Sequence, residues 1–369
     1  MSNSENTRRQ FLTSCLVAAS SGSVARLAMG QDTCDVPWLD EVQTRPDVVP
    51  PGAPKLSPLL TDAQGRKISD LAAWRKNRDE IKNRWLDFLG PLARKRIAPP
   101  RLEVVEEDRT QGVIRRRVRY QIEPGVMTEA YLLMPERLSA KAPGVAVFHT
   151  TTKPSILQPA GVKGLPEKAF GLKLARRGYV TFCPRNYLWP DNLHEDTKKT
   201  VEEHRRRHPQ STGMAKMLYD ARVAVDILAA LPQVDATRLG AVGHSLGAKE
   251  VLYLAAFDER IKATVSSEGG IGSSFSNWDA PWYLGRKIGD KSFPHEHHEL
   301  LSLIAPRAFL LIGGDSADGD RGWPFIEAAL KVYRLYGKRS LLGLFNHKQG
   351  HSVPPSAERH LYEWIDVYC

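Results

Sequence analysis

Two rhythms of apolar residues alternate along most of the chain. One is the short, continuously apolar run of a strand buried on both faces, at 144–150 (GVAVFHT), 179–183, 239–242, 263–265, 308–312 and 341–345. The other is the three- and four-residue spacing of helices, at 166–177, 214–231, 248–257, 323–336 and 357–367. Buried strands that alternate with helices predict a doubly wound, mostly parallel α/β sheet. Ahead of them, 113–120 and 129–134 alternate imperfectly and read as neighbouring, half-exposed strands. Further upstream, Leu71, Trp74, Ile81, Trp85, Phe88 and Leu89 share one helical face over 68–89. Ser69 or Asp70 can cap that helix, and Gly90-Pro91 stops it.

The expected organisation is therefore one core domain, 101–369, preceded by a helical extension at 67–100 and a proline-rich arm at 31–66. The arm carries Pro46, Pro50, Pro51, Pro54 and Pro58, and is expected to be extended or draped over the surface. Residues 1–30 read as an address. Thr7-Arg8-Arg9-Gln10-Phe11-Leu12 precedes a modest apolar stretch interrupted by Ser20, Ser21 and Ser23. The pattern resembles a twin-arginine export signal, too short to span a bilayer, and implies a periplasmic or secreted protein without a stable membrane anchor.

In open α/β sheets, sites form beyond the C-terminal ends of the strands. The polar residues that follow the buried runs are His149, Thr150, Thr151 and Thr152; Arg185 and Asn186; Ser245; Ser266, Ser267 and Glu268; Asp315, Asp318 and Asp320; and His347 and His351. Among these, Gly243-His244-Ser245-Leu246-Gly247 is G-x-S-x-G between an apolar run and a helix. It has the form of a nucleophile elbow. A serine hydroxyl needs an imidazole to take its proton. His351, on a Gly-containing loop before the last helix, is the chosen base, with His347 as its competitor. The orienting acid stays open between Asp318, which follows the 308–312 strand, and Glu268, which follows the 263–265 strand. Asp315 and Asp320 are local competitors of Asp318. The oxyanion of acyl transfer would meet the backbone N–H groups of Leu246 and of Thr150 or Thr151.

Composition narrows the alternatives. With 42% hydrophobic and 25% charged residues, the chain is a globular protein. Its net charge of +10 is scattered. Arg115-Arg116-Arg117 and Arg205-Arg206-Arg207 lack the interleaved aromatics of a nucleic-acid surface, so no nucleic-acid partner is expected. Cys34, Cys183 and Cys369 remain once the address is removed. A Cys34–Cys369 bridge is conceivable in an oxidising compartment, and Cys183 reads as an inert core residue. His295, His297 and His298 lack the spacing of a zinc motif, and no phosphate or dinucleotide loop is present. No metal and no cofactor are expected.

From about residue 100 onward the chain resembles the α/β-hydrolase superfamily, and within it secreted carbohydrate esterases: acetyl xylan esterases, dienelactone-hydrolase-like enzymes and glucuronoyl esterases. The last resemblance rests on Lys249 four residues after the serine, on Ala256-Phe257-Asp258-Glu259-Arg260-Ile261, and on Glu268-Gly269-Gly270. In that family the glutamate of the turn completes the triad, so the resemblance sets Glu268 level with Asp318 as the acid, one closing the triad and the other supporting it. The chain departs from the glucuronoyl esterases at Leu246, where they usually carry arginine. Lys249, which matches that family by position, is a substrate-binding candidate. Trp278 and Trp282, in the loop after Glu268, read equally as a platform on which a sugar stacks or as core or lid packing, and Arg185, after the 179–183 run, is a further pocket candidate. The expected function is an exported serine hydrolase cleaving carboxylic esters of a carbohydrate or plant-derived small molecule. A peptidase of the same fold and a catalytically silent binding protein are the alternatives.

Overall fold

The computed structural model describes residues 35–51, 54–95, 98–189 and 197–369. The expected export address and Cys34 lie outside the described residues. Nine strands form one sheet in the order β1-β2-β3-β5-β4-β6-β7-β8-β9. They are β1 Glu103–Thr110, β2 Val113–Glu123, β3 Val126–Pro135, β4 Ala142–Phe148, β5 Val180–Pro184, β6 Val234–His244, β7 Ile261–Ser267, β8 Ala308–Gly313 and β9 Leu342–Asn346. From β5 through β9 every pairing is parallel, and β1–β3 join that block through antiparallel pairings.

Side chains of a strand alternate between its faces, and here both faces are covered. Ala146, Phe148, Phe309 and Leu311 join a core roofed by α1 Leu71–Leu89, α4 Gly213–Ala230, α5 Leu246–Phe257, α6 His298–Ile304 and α7 Trp323–Arg334. Val145, Val147, Leu310 and Ile312 face a second core under α2 Phe170–Arg176 and α8 Pro355–Tyr368. This two-sided burial is why the middle strands read as unbroken apolar runs. The antiparallel ribbon is different. β1 is exposed along almost its whole length, and its acids face the arginines of β2: Arg115 with Asp108, Arg116 with Glu107, Arg117 with Glu106. The basic run of β2 is thus answered across the strand pair. Strand β1 and α3 Thr197–Arg207 were not expected from the sequence, because each is too polar to show a buried face. The helix expected at 166–177 is split into a short turn, Pro166–Lys168, and α2.

The upstream helix is built as its pattern predicts. Asp70 caps it, accepting the N–H groups of Ala72 and Ala73 at 2.9 Å. Gly90 ends it at φ 97° against the backbone of Gln210, leaving no room for a Cβ. Trp74 and Trp85 anchor it as packing residues. Trp85 is 1% exposed, lies against Tyr253 and His297, and its indole N–H donates to Glu299 at 2.7 Å. The His295–His298 run is spent on the same packing, with His297 hydrogen-bonded to Tyr253 and to the carbonyl of Ile271. No helix among the described residues is long and apolar enough to cross a membrane. Trp85→Ala should destabilise the protein by about 3–5 kcal/mol, since it opens a cavity and strips Glu299 of a donor. Urea unfolding of the two proteins measures this.

Candidate active site

Ser245 sits between β6 and α5 with φ 59° and ψ −114°, a conformation disfavoured for a residue with a side chain. The flanking glycines permit it. A Cβ on Gly243 would lie 2.1 Å from the carbonyl oxygen of Gly247, and a Cβ on Gly247 would lie 2.3 Å from that of Phe148. The second contact also presses the start of α5 against the end of β4, which brings the 149–152 loop beside the serine. The Ser245 N–H is held by the Ser267 carbonyl at 2.8 Å. The Leu246 N–H stands at the first position of α5, where no intrahelical acceptor exists.

The 149–152 loop is braced from behind by His149. Its Nδ1 lies 2.8 Å from the Thr150 carbonyl, and its Nε2 accepts the Asn186 N–H at 3.1 Å. Burial pushes this imidazole down to about 4, so it is neutral and its Nδ1 carries the proton. The Asn186 amide in turn donates to Glu250 on α5. Lys249 and Glu250 were visible in the sequence as two charges in a helix otherwise apolar all round, yet nothing in the sequence joined Glu250 to Asn186.

On the other side of the serine, the structure pairs His351 with Glu268. His351 Nδ1 lies 3.1 Å from Glu268 Oε2, and the His351 ring leans on His244, with 4.7 Å between centroids. His244 is buried and its Nδ1 is 3.0 Å from Ser267 Oγ, so it packs the elbow. Glu268 is 1% exposed and takes two more donors, the backbone N–H groups of Gly314 and Ala317. Burial acts to raise its carboxyl, but the hydrogen bonds from His351 and the two amides outweigh it and hold it below the usual range.

Asp318, the other acid, is fully buried and accepts from Gly270 N at 2.7 Å and Ile271 N at 2.6 Å. Its carboxylate is occupied by the loop that carries Glu268, while Glu268 is held by the loop that carries Asp318. Burial pushes Asp318 up to about 6. Asp315 and Asp320 bind Asn346 at 2.7 and 2.8 Å. His347 lies in the loop with Nδ1 accepting from Gln349 N at 3.1 Å, which removes it from the base position.

Of the four substrate-binding candidates, three turn inward and Trp282 is half-buried. Lys249 is 3% exposed beneath the 268–270 turn, donates to the Gly269 carbonyl and lies 3.9 Å above the Trp278 ring. Burial lowers its ammonium to about 7. Trp278 is no open platform: it is 1% exposed and donates to the Gly270 carbonyl at 2.7 Å. Arg185 is buried against Glu129 at 2.8 Å. Trp282 is half-buried, with its carbonyl accepting from Tyr187 at 3.2 Å. Sequence proximity to strand ends could not say that three of these four turn inward.

A serine on a strained elbow, the Leu246 N–H that opens the helix beside it, and a histidine tied to a buried carboxylate all stand at the C-terminal rim of the parallel strands. The chain has the α/β-hydrolase fold. Residues 128–300 match the Dienelactone hydrolase family. A glucuronoyl esterase from Solibacter usitatus superposes with a TM-score of 0.68 at 19% identity, over 86% of this chain and 98% of that one. A putative acetyl xylan esterase from Bacteroides fragilis superposes with a TM-score of 0.56 at 14% identity, over 75% of each chain. In sequence, a putative carboxymethylenebutenolidase of Saccharomyces cerevisiae is 30% identical over 127 residues, 33% of this chain and 41% of that protein. The 4-O-methyl-glucuronoyl methylesterase 1 of Sodiomyces alcalophilus is 29% identical over 103 residues, 21% of each. The chain thus spans less than half the length of these curated relatives.

Glu250 gives the protein a pH signature. Burial raises its carboxyl from 4.5 to about 8, against the hydrogen bond from Asn186, and nearby Asp220 adds to the rise. The folded protein then holds a proton that the unfolded chain has released, so stability falls as pH climbs from about 4.5 to about 8. Glu250→Gln should remove that decline. Its advantage in urea midpoint over the parent should grow from about pH 5 to about pH 8.

Proposed function

We propose that this protein is a serine hydrolase that cleaves carboxylic esters carried on saccharides. The observation that carries the reading is the His351–Glu268 pair at 3.1 Å beside the elbow serine. The names of the esterases it resembles in fold and sequence support the ester and the sugar. Ser245 Oγ attacks the ester carbonyl as His351 Nε2 takes its proton. Glu268, hydrogen-bonded to Nδ1–H, keeps that nitrogen protonated and stabilises the imidazolium. The Leu246 and Thr150 backbone N–H groups receive the oxyanion. His351 then returns the proton to the departing alcohol, and water activated by the same histidine releases the acyl group. Among the described residues Ser245 Oγ has no hydrogen bond; the contact to His351 closes when substrate arrives.

In this reading Asp318 is a positioning residue, since it holds the 270–271 backbone and does not touch His351. Residues 101–369 form the catalytic domain, with 67–100 docked on it and 31–66 as an arm. Export by a twin-arginine signal in residues 1–30 to the periplasm or beyond completes the proposal. Leu246 in place of arginine leaves the sugar-acid preference of glucuronoyl esterases without its usual cation.

On p-nitrophenyl acetate, Ser245→Ala should lower kcat on the order of 10⁶-fold. Turnover equal to that of the parent would remove the serine mechanism. Glu268→Gln should cost on the order of 10⁴-fold in kcat. Asp318→Asn should cost far less in rate and about 1–3 kcal/mol in stability, through the disrupted amide pair. A large rate loss confined to Asp318→Asn would assign the acid to Asp318 instead.

A further inference from the structure

The arm ahead of the helical extension is fastened to the sheet. Leu39–Val42 forms a single helical turn. Gln43 Nε2 donates to the carbonyls of Ser340 at 2.5 Å and Leu342 at 3.0 Å, along the outer edge of β9. Val42 seats so closely on Gly343 that a Cβ there would lie 2.4 Å from Val42 Cγ2. Past this contact the arm and the C-terminal end of β9 part. Between them lies a groove of about 610 Å³, a size typical of ligand sites.

Its walls are mixed in a particular way. On the sheet side Asp320 braces Asn346 at 2.8 Å and Lys348 at 3.3 Å, beside the partly exposed Phe345. On the arm side Arg45 and Asp47 are exposed and make no ion pair among the described residues, and Val48 is an apolar side chain 74% exposed. Cations and carboxylates are nearly balanced, so a phosphate or polyanion gains little here. A wholly apolar ligand would strip water from charged groups without replacing its hydrogen bonds. The match is a neutral ligand rich in hydroxyl donors and acceptors, with an apolar ring face to set on Val48, since the Phe345 ring is itself stacked on His360 at 3.7 Å. A peptide strand added to β9 fits less well, because Gln43 already occupies two edge carbonyls.

Position ties the groove to the chemistry. It opens at the C-terminal end of β9, the same end of the sheet as Ser245, and the 346–351 loop runs from its wall to His351. Three strand spacings separate β6 from β9, roughly 14 Å. We propose that the groove is a subsite for neutral sugar units of a polysaccharide whose ester-bearing unit lies at Ser245. The proposal rests on the ester-hydrolase reading above.

The test uses neutral, ester-free xylo-oligosaccharides titrated calorimetrically into the full chain and into Asp47→Ala and Val48→Asp. Both positions are on the exposed arm, and unchanged unfolding midpoints confirm intact variants. The expected result is binding by the parent that weakens about tenfold or more in each variant. On acetylated xylo-oligosaccharide kcat/KM should fall in parallel, while turnover of p-nitrophenyl acetate stays as in the parent. Binding that is absent, or equal in parent and variants, overturns the subsite. So does a groove that takes an extended peptide and no sugar. Arm-dependent sugar binding in a chain that cleaves no ester would retain the groove and reject the hydrolase reading, so the two fail separately.

Discussion

Two buried carboxylates hold the site together by crossing. Glu268, at the end of β7, accepts amides at 314 and 317 from the loop after β8, and Asp318 in that loop accepts amides at 270 and 271 from the turn after β7. Each acid therefore satisfies the backbone of the segment that carries the other. Buried carboxylates without such partners are costly, and with them the two loops behave as one rigid unit. Glu268 has φ 56°, a left-handed conformation that the clamp stabilises. The direction in which its second oxygen faces His351 depends on this arrangement, and so does the orientation of the histidine.

Further supports converge on the same turn. Lys249 and Trp278 bind the carbonyls of Gly269 and Gly270 from below, while Gly350 N donates to the Gly314 carbonyl at 2.7 Å and docks the His351 loop on the clamp. A Cβ on Gly314 would lie 2.0 Å from the Gly350 carbonyl oxygen, so glycine is required there for the two loops to meet. Residues that resemble substrate ligands by their motif thus work one layer below the surface, on the backbone that positions the reacting groups.

The upstream helix takes part in this as well. Trp85 reaches Tyr253 on α5 and His297, and His297 holds the Ile271 carbonyl at 2.9 Å, next to the amide that Asp318 accepts. A continuous packed path therefore joins the extension to the acid turn. Its tryptophans were legible as anchors from spacing alone, but the surface they anchor to was not.

Much of this architecture could be read from the chain. Continuous apolar runs specify strands buried on both faces, and the glycines around Ser245 specify a turn too tight for any Cβ, because both are local consequences of sterics and burial. The order Ser245, acid, His351 follows from where those runs end. The choice between Glu268 and Asp318 does not, since both follow parallel strands, at 267 and 313, that lie side by side. The folded sheet distinguishes them: each carboxylate accepts two backbone amides, but Glu268 Oε2 also meets His351, while Asp318 meets only the amides at 270 and 271. The same holds for Lys249 and Trp278. Their spacing from the elbow is written in the sequence, but whether they face ligand or core depends on how they pack against each other and under the 269–270 turn. The elbow is a local structure; its carboxylate partner is set by long-range packing.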